Sequence, residues 1–264
     1  MDLQLKDKRA VVTGSTAGIG FAIAHALALE GASVVVNGRT RERVTSAVNE
    51  IRRHAPQANI RGIAADLSTP AGIATLLTDT PEAEILVNNL GIFEAKNFTT
   101  ITDGDWQRIW DTNVMSGVRL SRHYLPKMLA ANWGRILFIS SESAVNIPVE
   151  MIHYGVTKTA QVAVARGLAE TTTGTGVTVN SILAGPTRSE GVERFVKELA
   201  TSQGVDEATF EREFFSKVRP SSLLKRFASP DEVANLVAYV CSPRSSATNG
   251  AALRVEGGVI RSIL

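Results

Sequence analysis

Cysteine is almost missing from this chain: its 264 residues include one, Cys241, so no disulfide can close within a single copy and no thiolate cluster can hold a metal. The apolar neighbours Val237, Ala238 and Val240 mark that thiol as a small buried hydrophobe rather than a nucleophile. Histidine is scarce too. His25, His54, His123 and His153 show no paired ligand spacing, so no metal is expected. No apolar run approaches the roughly 18 residues that span a bilayer. The charged start Met1-Asp2-Leu3-Gln4-Leu5-Lys6-Asp7-Lys8-Arg9 leaves no room for the apolar core of a signal peptide. These absences predict a cytoplasmic protein without membrane contact. Charge of one sign is also lacking: 28 Lys and Arg against 26 Asp and Glu leave a net charge of +2, scattered rather than bunched, which argues against a nucleic-acid partner. No linker, repeat or low-complexity tract divides the chain, so residues 1–264 read as one domain with a well-buried core.

Against these absences stands a clear rhythm. Short β-branched runs at 10–12, 33–36, 60–64, 85–87, 135–139, 177–182 and 252–255 alternate with helix-period stretches at 18–30, 41–54, 71–78, 105–129, 151–171 and 230–242. That alternation predicts an α/β fold, a doubly wound parallel sheet coated by helices on both faces through right-handed crossovers. Ligands of such sheets bind beyond the carboxyl ends of the strands, where Gly14, Asn88, Ser141 and Gly185 fall. Residues 187–227 break the rhythm with two short amphipathic segments, 192–199 and 207–218, and predict a helical substrate lid before the last strand. Its Phe195, Phe210, Phe214 and Phe215 either line an apolar pocket or dock the lid on the body.

Thr13-Gly14-Ser15-Thr16-Ala17-Gly18-Ile19-Gly20 follows the first strand and opens the first helix, with a second strand at the distance of a βαβ unit. Glycines there let the backbone approach a pyrophosphate, and a helix start offers free N–H groups and a positive dipole end. The sheet is therefore expected to be of the Rossmann type. After the second strand the chain reads Asn37-Gly38-Arg39-Thr40. No carboxylate is there to hold an adenosine ribose hydroxyl, while Arg39 can form a bidentate pair with a 2′-phosphate. The expected cofactor is NADP(H) in preference to NAD(H).

Tyr154 and Lys158 are four residues apart and share a helix face. A nearby ammonium favours the phenolate, so Lys158 can activate a phenol whose pKa is ordinarily about 10. Upstream, the strand 135–139 runs into Ser140-Ser141 at the crevice. A hydroxyl there can donate to a substrate carbonyl oxygen as charge develops on it. His153 reads as structural or substrate-facing, because adjacent helical residues point in different directions. Glu142 and Glu150 flank the same loop and read as solvated.

With these motifs in view, the sequence resembles the short-chain dehydrogenase/reductase family over essentially its whole length. The family's threonine-glycine turn matches Thr13 to Gly20, and its tyrosine-lysine motif matches Tyr154 and Lys158. Its serine, thirteen positions before the tyrosine, selects Ser141 over Ser140, and its helix asparagine matches Asn113 in Asp111-Thr112-Asn113-Val114. The resemblance implies a catalytic set of Asn113, Ser141, Tyr154 and Lys158. In it the tyrosine exchanges a proton with the substrate oxygen, the lysine lowers the phenol pKa and holds ribose hydroxyls, the serine orients the carbonyl, and the asparagine supports a relay water. It implies cofactor contacts from Gly14, Ser15, Gly18, Ile19, Gly20, Arg39, Asp66, Leu67, Asn89, Gly91, Tyr154, Lys158, Gly185 and Ser189, with Asp66 near the adenine. Leu90 stands where the family usually has alanine, and Ala184-Gly185 where it has proline-glycine. The implied activity is NADP(H)-dependent interconversion of a carbonyl and a secondary alcohol, on a 3-oxoacyl thioester or ketone. The implied assembly is a homotetramer built through 105–129 and 151–171. An NAD(P)-dependent sugar or polyol dehydrogenase is the alternative within the family. The alternative outside it, an inactive NADP(H)-binding regulator, would not need all four catalytic residues.

Overall fold

The computed structural model describes residues 1–203 and 205–263. Seven strands form one sheet: β1 (Arg9–Val12), β2 (Ser33–Gly38), β3 (Ile60–Ala64), β4 (Ile85–Asn88), β5 (Gly134–Ser141), β6 (Val177–Ala184) and β7 (Ala252–Val255). All neighbours run parallel, in the order β3-β2-β1-β4-β5-β6-β7. The chain winds one way from β1 to β3 and the other way from β4 to β7, so the topological switch point lies between β1 and β4, where such sheets bind ligands.

The helices are α1 (Gly18–Leu29), α2 (Arg41–His54), α3 (Pro70–Asp79), α4 (Asp103–Trp110), α5 (Ser116–Ala130), α6 (Ile152–Glu170), α7 (Glu190–Gln203), α8 (Glu207–Glu213) and α9 (Pro230–Cys241). Side chains along a strand alternate between faces, and the core divides accordingly. Ala10, Val12, Val34 and Val36 pack with α1, α2 and α9 on one face. Val11, Val35, Leu86 and Phe138 pack with α3, α5 and α6 on the other. Burial on both faces is why these strands read as unbroken apolar runs. Cys241 belongs to the first face, fully buried, and burial pushes its thiol up to about 12.

The structure divides the expected helix 105–129, and the expected segment 207–218 likewise. A π turn at Asp111–Met115 separates α4 from α5. Such wide turns re-aim side chains and favour functional positions; this one carries Asn113. Residues 187–227 hold α7, α8 and a second π turn, Phe214–Val218. The base of this insertion is closed by parallel pairing of Thr187 with Ala228. Among the described residues no helix is long and apolar enough to cross a membrane.

Candidate active site

The turn after β1 is shaped from both sides. Asn37, buried in β2, accepts from Gly14 N through Oδ1 (3.2 Å) and donates Nδ2 to the carbonyls of Ile63 and Ala65 (3.2 and 3.1 Å). Ser15 Oγ donates to Val12 O (2.7 Å) and accepts from Asn37 N (2.9 Å). That hydroxyl is fully buried and shapes the turn instead of facing the crevice. Across the switch point, Asn89 Nδ2 donates to the carbonyls of Thr13 and Gly14 (2.9 and 3.0 Å). This stitching explains Gly20, where a Cβ would lie 2.3 Å from Asn89 Nδ2 and 2.5 Å from Gly14 O. At Gly18 φ is +56° and a Cβ would meet Ser189 Cβ at 2.9 Å, so Ser189 lies directly over the turn. Sequence reasoning passed over Asn37 as an organiser, because its partners come from three separate strands and loops.

α1 starts here with no side-chain cap and no acidic residue in its first turn. By contrast Thr40, Thr69, Thr102 and Ser229 cap α2, α3, α4 and α9. The α1 N–H groups and dipole end are thus left for an anion. Arg39 is exposed just after β2 and makes no hydrogen bond or ion pair among the described residues. Its neighbour Arg43 is engaged by Glu190 at 3.2 and 2.5 Å. Asp66 is exposed beyond β3, its Oδ1 accepting from Ser68 N and Oγ (3.1 and 2.7 Å). Leu67 is 1 % exposed in the second core layer, so any cofactor contact from this position must come from its main chain. Leu90 also packs on that layer, with its Cδ1 against the turn, 3.4 Å from where a Cβ on Gly14 would lie. Ile19, Asn89, Gly91, Gly185 and Ser189 line a cleft of about 820 Å³ that continues to Ser141, Tyr154 and Lys158.

At the far end of that cleft, β5 brings Ser141 against α6. Ser141 Oγ accepts from Ser143 N (3.1 Å) and is hydrogen-bonded to the Tyr154 side chain. Ser140 Oγ donates to Lys158 O (2.8 Å), bracing α6. Lys158 Nζ donates to Ile139 O (2.9 Å) and Gln161 Oε1 (3.1 Å), and lies 5.6 Å from the centre of the Tyr154 ring. Burial lowers the Lys158 ammonium to about 7. Burial likewise pushes the Tyr154 phenol up to about 12; a hydrogen bond with Ser141 opposes the rise, Glu142 adds to it and Arg219 opposes it. In the protein alone the phenol therefore rests protonated, as a proton donor rather than a phenolate.

Asn113 is buried, and its side chain is fully committed. Oδ1 accepts from Ile92 N (2.8 Å), while Nδ2 donates to Ile92 O (2.9 Å) and Thr157 Oγ1 (3.0 Å). It ties the loop after β4 to α6, next to Tyr154. Its main-chain carbonyl accepts from Gln161 Nε2 (2.6 Å), a residue that sequence reasoning did not single out.

Glu142 corrects an expectation. It is 3 % exposed, not solvated, because the chain turns inward after β5 and the insertion supplies a counter-charge: Arg219 Nε donates to Glu142 Oε1 at 2.8 Å. Glu142 Oε2 has no hydrogen-bond partner among the described residues. Glu150 is exposed, as expected, 3.8 Å from the same guanidinium. Burial holds the Glu142 carboxyl above its ordinary value, with Arg219 opposing the rise. Arg219→Ala strands that charge and is expected to cost about 3 kcal/mol of stability at neutral pH. A carboxyl raised in the fold binds protons more readily than in the unfolded chain, so the loss shrinks in acid as Glu142 is neutralised. Denaturant melts at about pH 5 and pH 8 check this; an equal loss at both would count against it.

His153 is fully buried with its ring 5.9 Å from that of Trp106, a structural position. Phe210 and Phe214 line the cleft together with Phe227, and Phe215 packs against Phe227. The Phe195 side chain lies outside those described.

Residues 14–260 match the family model described as enoyl-(acyl carrier protein) reductase. The chain belongs to the short-chain dehydrogenase/reductase family, NAD(P)-dependent oxidoreductases. It is 48% identical to the uncharacterized oxidoreductase YvrD of Bacillus subtilis, a match covering 100% of both chains. It is 30% identical to the 3-oxoacyl-[acyl-carrier-protein] reductase FabG of Aquifex aeolicus, over 98% of this chain and 100% of that protein. The crystal structure of L-sorbose reductase from Gluconobacter frateurii, complexed with NADPH and L-sorbose, superposes with a TM-score of 0.93 at 32% identity, covering 100% of both chains.

Proposed function

We propose that this protein reduces a ketone with NADPH, Ser141 holding the carbonyl oxygen and Tyr154 delivering the proton to it. The observation that carries the reading is the pairing of a protonated, half-buried phenol with Ser141 as its hydrogen-bond partner, in one cleft with the uncapped start of α1. The donor set fits a dinucleotide: the α1 N–H groups with Gly14, Gly18 and Gly20 suit its pyrophosphate, Arg39 a 2′-phosphate, and Gly185 and Ser189 the nicotinamide amide. When bound, NADPH supplies the hydride. Lys158 offers its remaining N–H to a ribose hydroxyl, and Asn113 holds Ile92 and Thr157 around the phenol. Residues 187–227 act as a lid that keeps water from the carbonyl. Four copies assemble through residues 105–129 and 151–171.

A 3-oxoacyl thioester suits the apolar wall of Phe210, Phe214 and Phe227. A second reading, a ketose or polyol, is favoured by the Glu142–Arg219 pair on the same cleft and by the similarity to L-sorbose reductase. Fluorescence titration tests the cofactor. Tighter binding of NADPH than of NADH is expected, with Arg39→Asp weakening NADPH by about tenfold and reversing the order. Equal or tighter NADH binding by the parent removes the NADPH assignment. An NADPH-linked screen across 3-oxoacyl thioesters, simple ketones and ketoses then separates the substrate readings. Binding without turnover on any of them would favour the regulator.

A further inference from the structure

We propose that Gln161 is a positioning residue, its side-chain amide clamping the Lys158 ammonium to the main-chain carbonyl of Asn113 and so directing the one N–H that Lys158 has left. The proposal rests on the reading above, in which Lys158 serves carbonyl reduction.

Gln161 lies one helical turn beyond Lys158 on α6 and is 1 % exposed. An amide has a donor end and an acceptor end, and here the chemistry allows one orientation. The Asn113 carbonyl can only accept, so it takes Nε2 at 2.6 Å. The ammonium can only donate, so it takes Oε1 at 3.1 Å. Flipping the amide would set oxygen against oxygen and NH₂ against NH₃⁺, which a buried site does not tolerate. Ile139 O binds a second Lys158 proton at 2.9 Å. Two of the three donors are thereby fixed, and the third is left for the cleft, where Gly91 keeps the wall thin: a Cβ there would come within 3.4 Å of Nζ.

The family resemblance implies a relay water supported by the asparagine. In this chain a glutamine amide occupies the Asn113 carbonyl and reaches Lys158 directly. An amide has no proton to give up near neutral pH, so it holds the ammonium instead of relaying through it. It also acts as a fixed dipole in place of solvent. Its carbonyl favours the charged form of a lysine that burial otherwise disfavours. The other titratable groups nearby are Tyr154 on α6, Glu142 and Arg219, which are paired with each other, and Glu94 on the loop after β4, paired with Arg108 at 2.5 Å. The π turn contributes Asn113 itself and no charge to this contact.

Gln161→Leu removes the acceptor and Gln161→Glu replaces it with a carboxylate, so the two push Lys158 in opposite directions. In the leucine variant kcat falls about tenfold with KM little changed, and the basic limb of the kcat/KM profile moves to lower pH. In the glutamate variant the limb moves to higher pH by about one unit, while the carboxylate oxygen that replaces Nε2 meets the Asn113 carbonyl and lowers Tm. A lysine-labelled NMR titration of the full-length parent and both variants reads Lys158 without turnover and is expected to show the same opposite shifts. Parent-like profiles and titrations in both, accompanied only by a lower Tm, overturn the proposal and leave Gln161 a packing residue. If the leucine variant does not fold, the glutamate variant decides alone: an unmoved Lys158 titration refutes the clamp. Opposite NMR shifts in an enzyme that turns over no carbonyl would uphold the clamp and refute the reductase reading.

Discussion

Tyr154→Phe is expected to lower kcat for carbonyl reduction by about a thousandfold while leaving NADPH affinity within about threefold of the parent. The substitution deletes a single oxygen from a half-buried ring. It leaves the ring contact with Phe93, 6.2 Å away, and the α6 backbone that Thr157 and Asn113 brace. What disappears is the proton donor. Because burial holds the phenol near 12, it carries its proton across the working pH range and can deliver it to an oxygen gaining negative charge. Ser141 can still hydrogen-bond that oxygen but has no acidity to match. Residual turnover would reflect positioning and the serine hydrogen bond alone. Steady-state kinetics beside a fluorescence titration make the test. Unchanged kcat in a variant that still binds NADPH would show that another group supplies the proton.

The second large effect is on pH dependence. In the reduction direction kcat/KM is expected to fall as pH rises through about 7, approaching a factor of ten per pH unit. The group responsible is Lys158, whose ammonium is charged below that value and neutral above it; Tyr154, near 12, stays protonated throughout. Lys158→Arg carries a guanidinium that does not deprotonate, so the limb should vanish even if the rate is lower. Lys158→Ala should run about a hundredfold slower than the parent below pH 7 and show no limb, so the gap narrows as pH rises. The stability sign is opposite. Folding lowers the lysine pKa, so between about 7 and the unfolded value near 10 the unfolded chain holds more protons and this group's contribution to stability rises with pH. Activity lost between pH 7 and 9 therefore should not track unfolding, and thermal melts over that interval separate the two. A limb that persists in Lys158→Arg would assign it to a different residue.

Much of the fold can be read from the chain because its signals are local. Strands such as β1, β2 and β4 are apolar on both faces, so runs like Val34-Val35-Val36 announce themselves without knowledge of their neighbours. The turn from Thr13 to Gly20 and the Tyr154 to Lys158 spacing are legible for the same reason: each is set within one or two helical turns. Ser140 and Ser141 mark the limit. As neighbours of identical chemistry they are told apart in the sequence only by the family resemblance, and the structure supplies the reason, Ser140 donating to Lys158 O.

The sequence by itself determined the doubly wound sheet and the family, because strand burial, helix phase and short motifs are properties of neighbouring residues; Asn113, Ser141, Tyr154 and Lys158 are nominated as a set through the family resemblance. The tertiary structure decided how those residues are held. Glu142 reads as solvated until Arg219, remote in sequence, is folded against it. Asn37 is an unremarkable polar residue until three segments converge on its amide, and Asn113 is placed by a π turn that no periodicity signals. Gln161 completes the contrast: it shares the helix face of Tyr154 and Lys158 by spacing, but becomes a clamp only when the carbonyl of Asn113 is brought against α6. Burial makes such contacts matter, since inside the protein an unpaired charge or carbonyl has no water to fall back on, and burial is a property of the assembled fold alone.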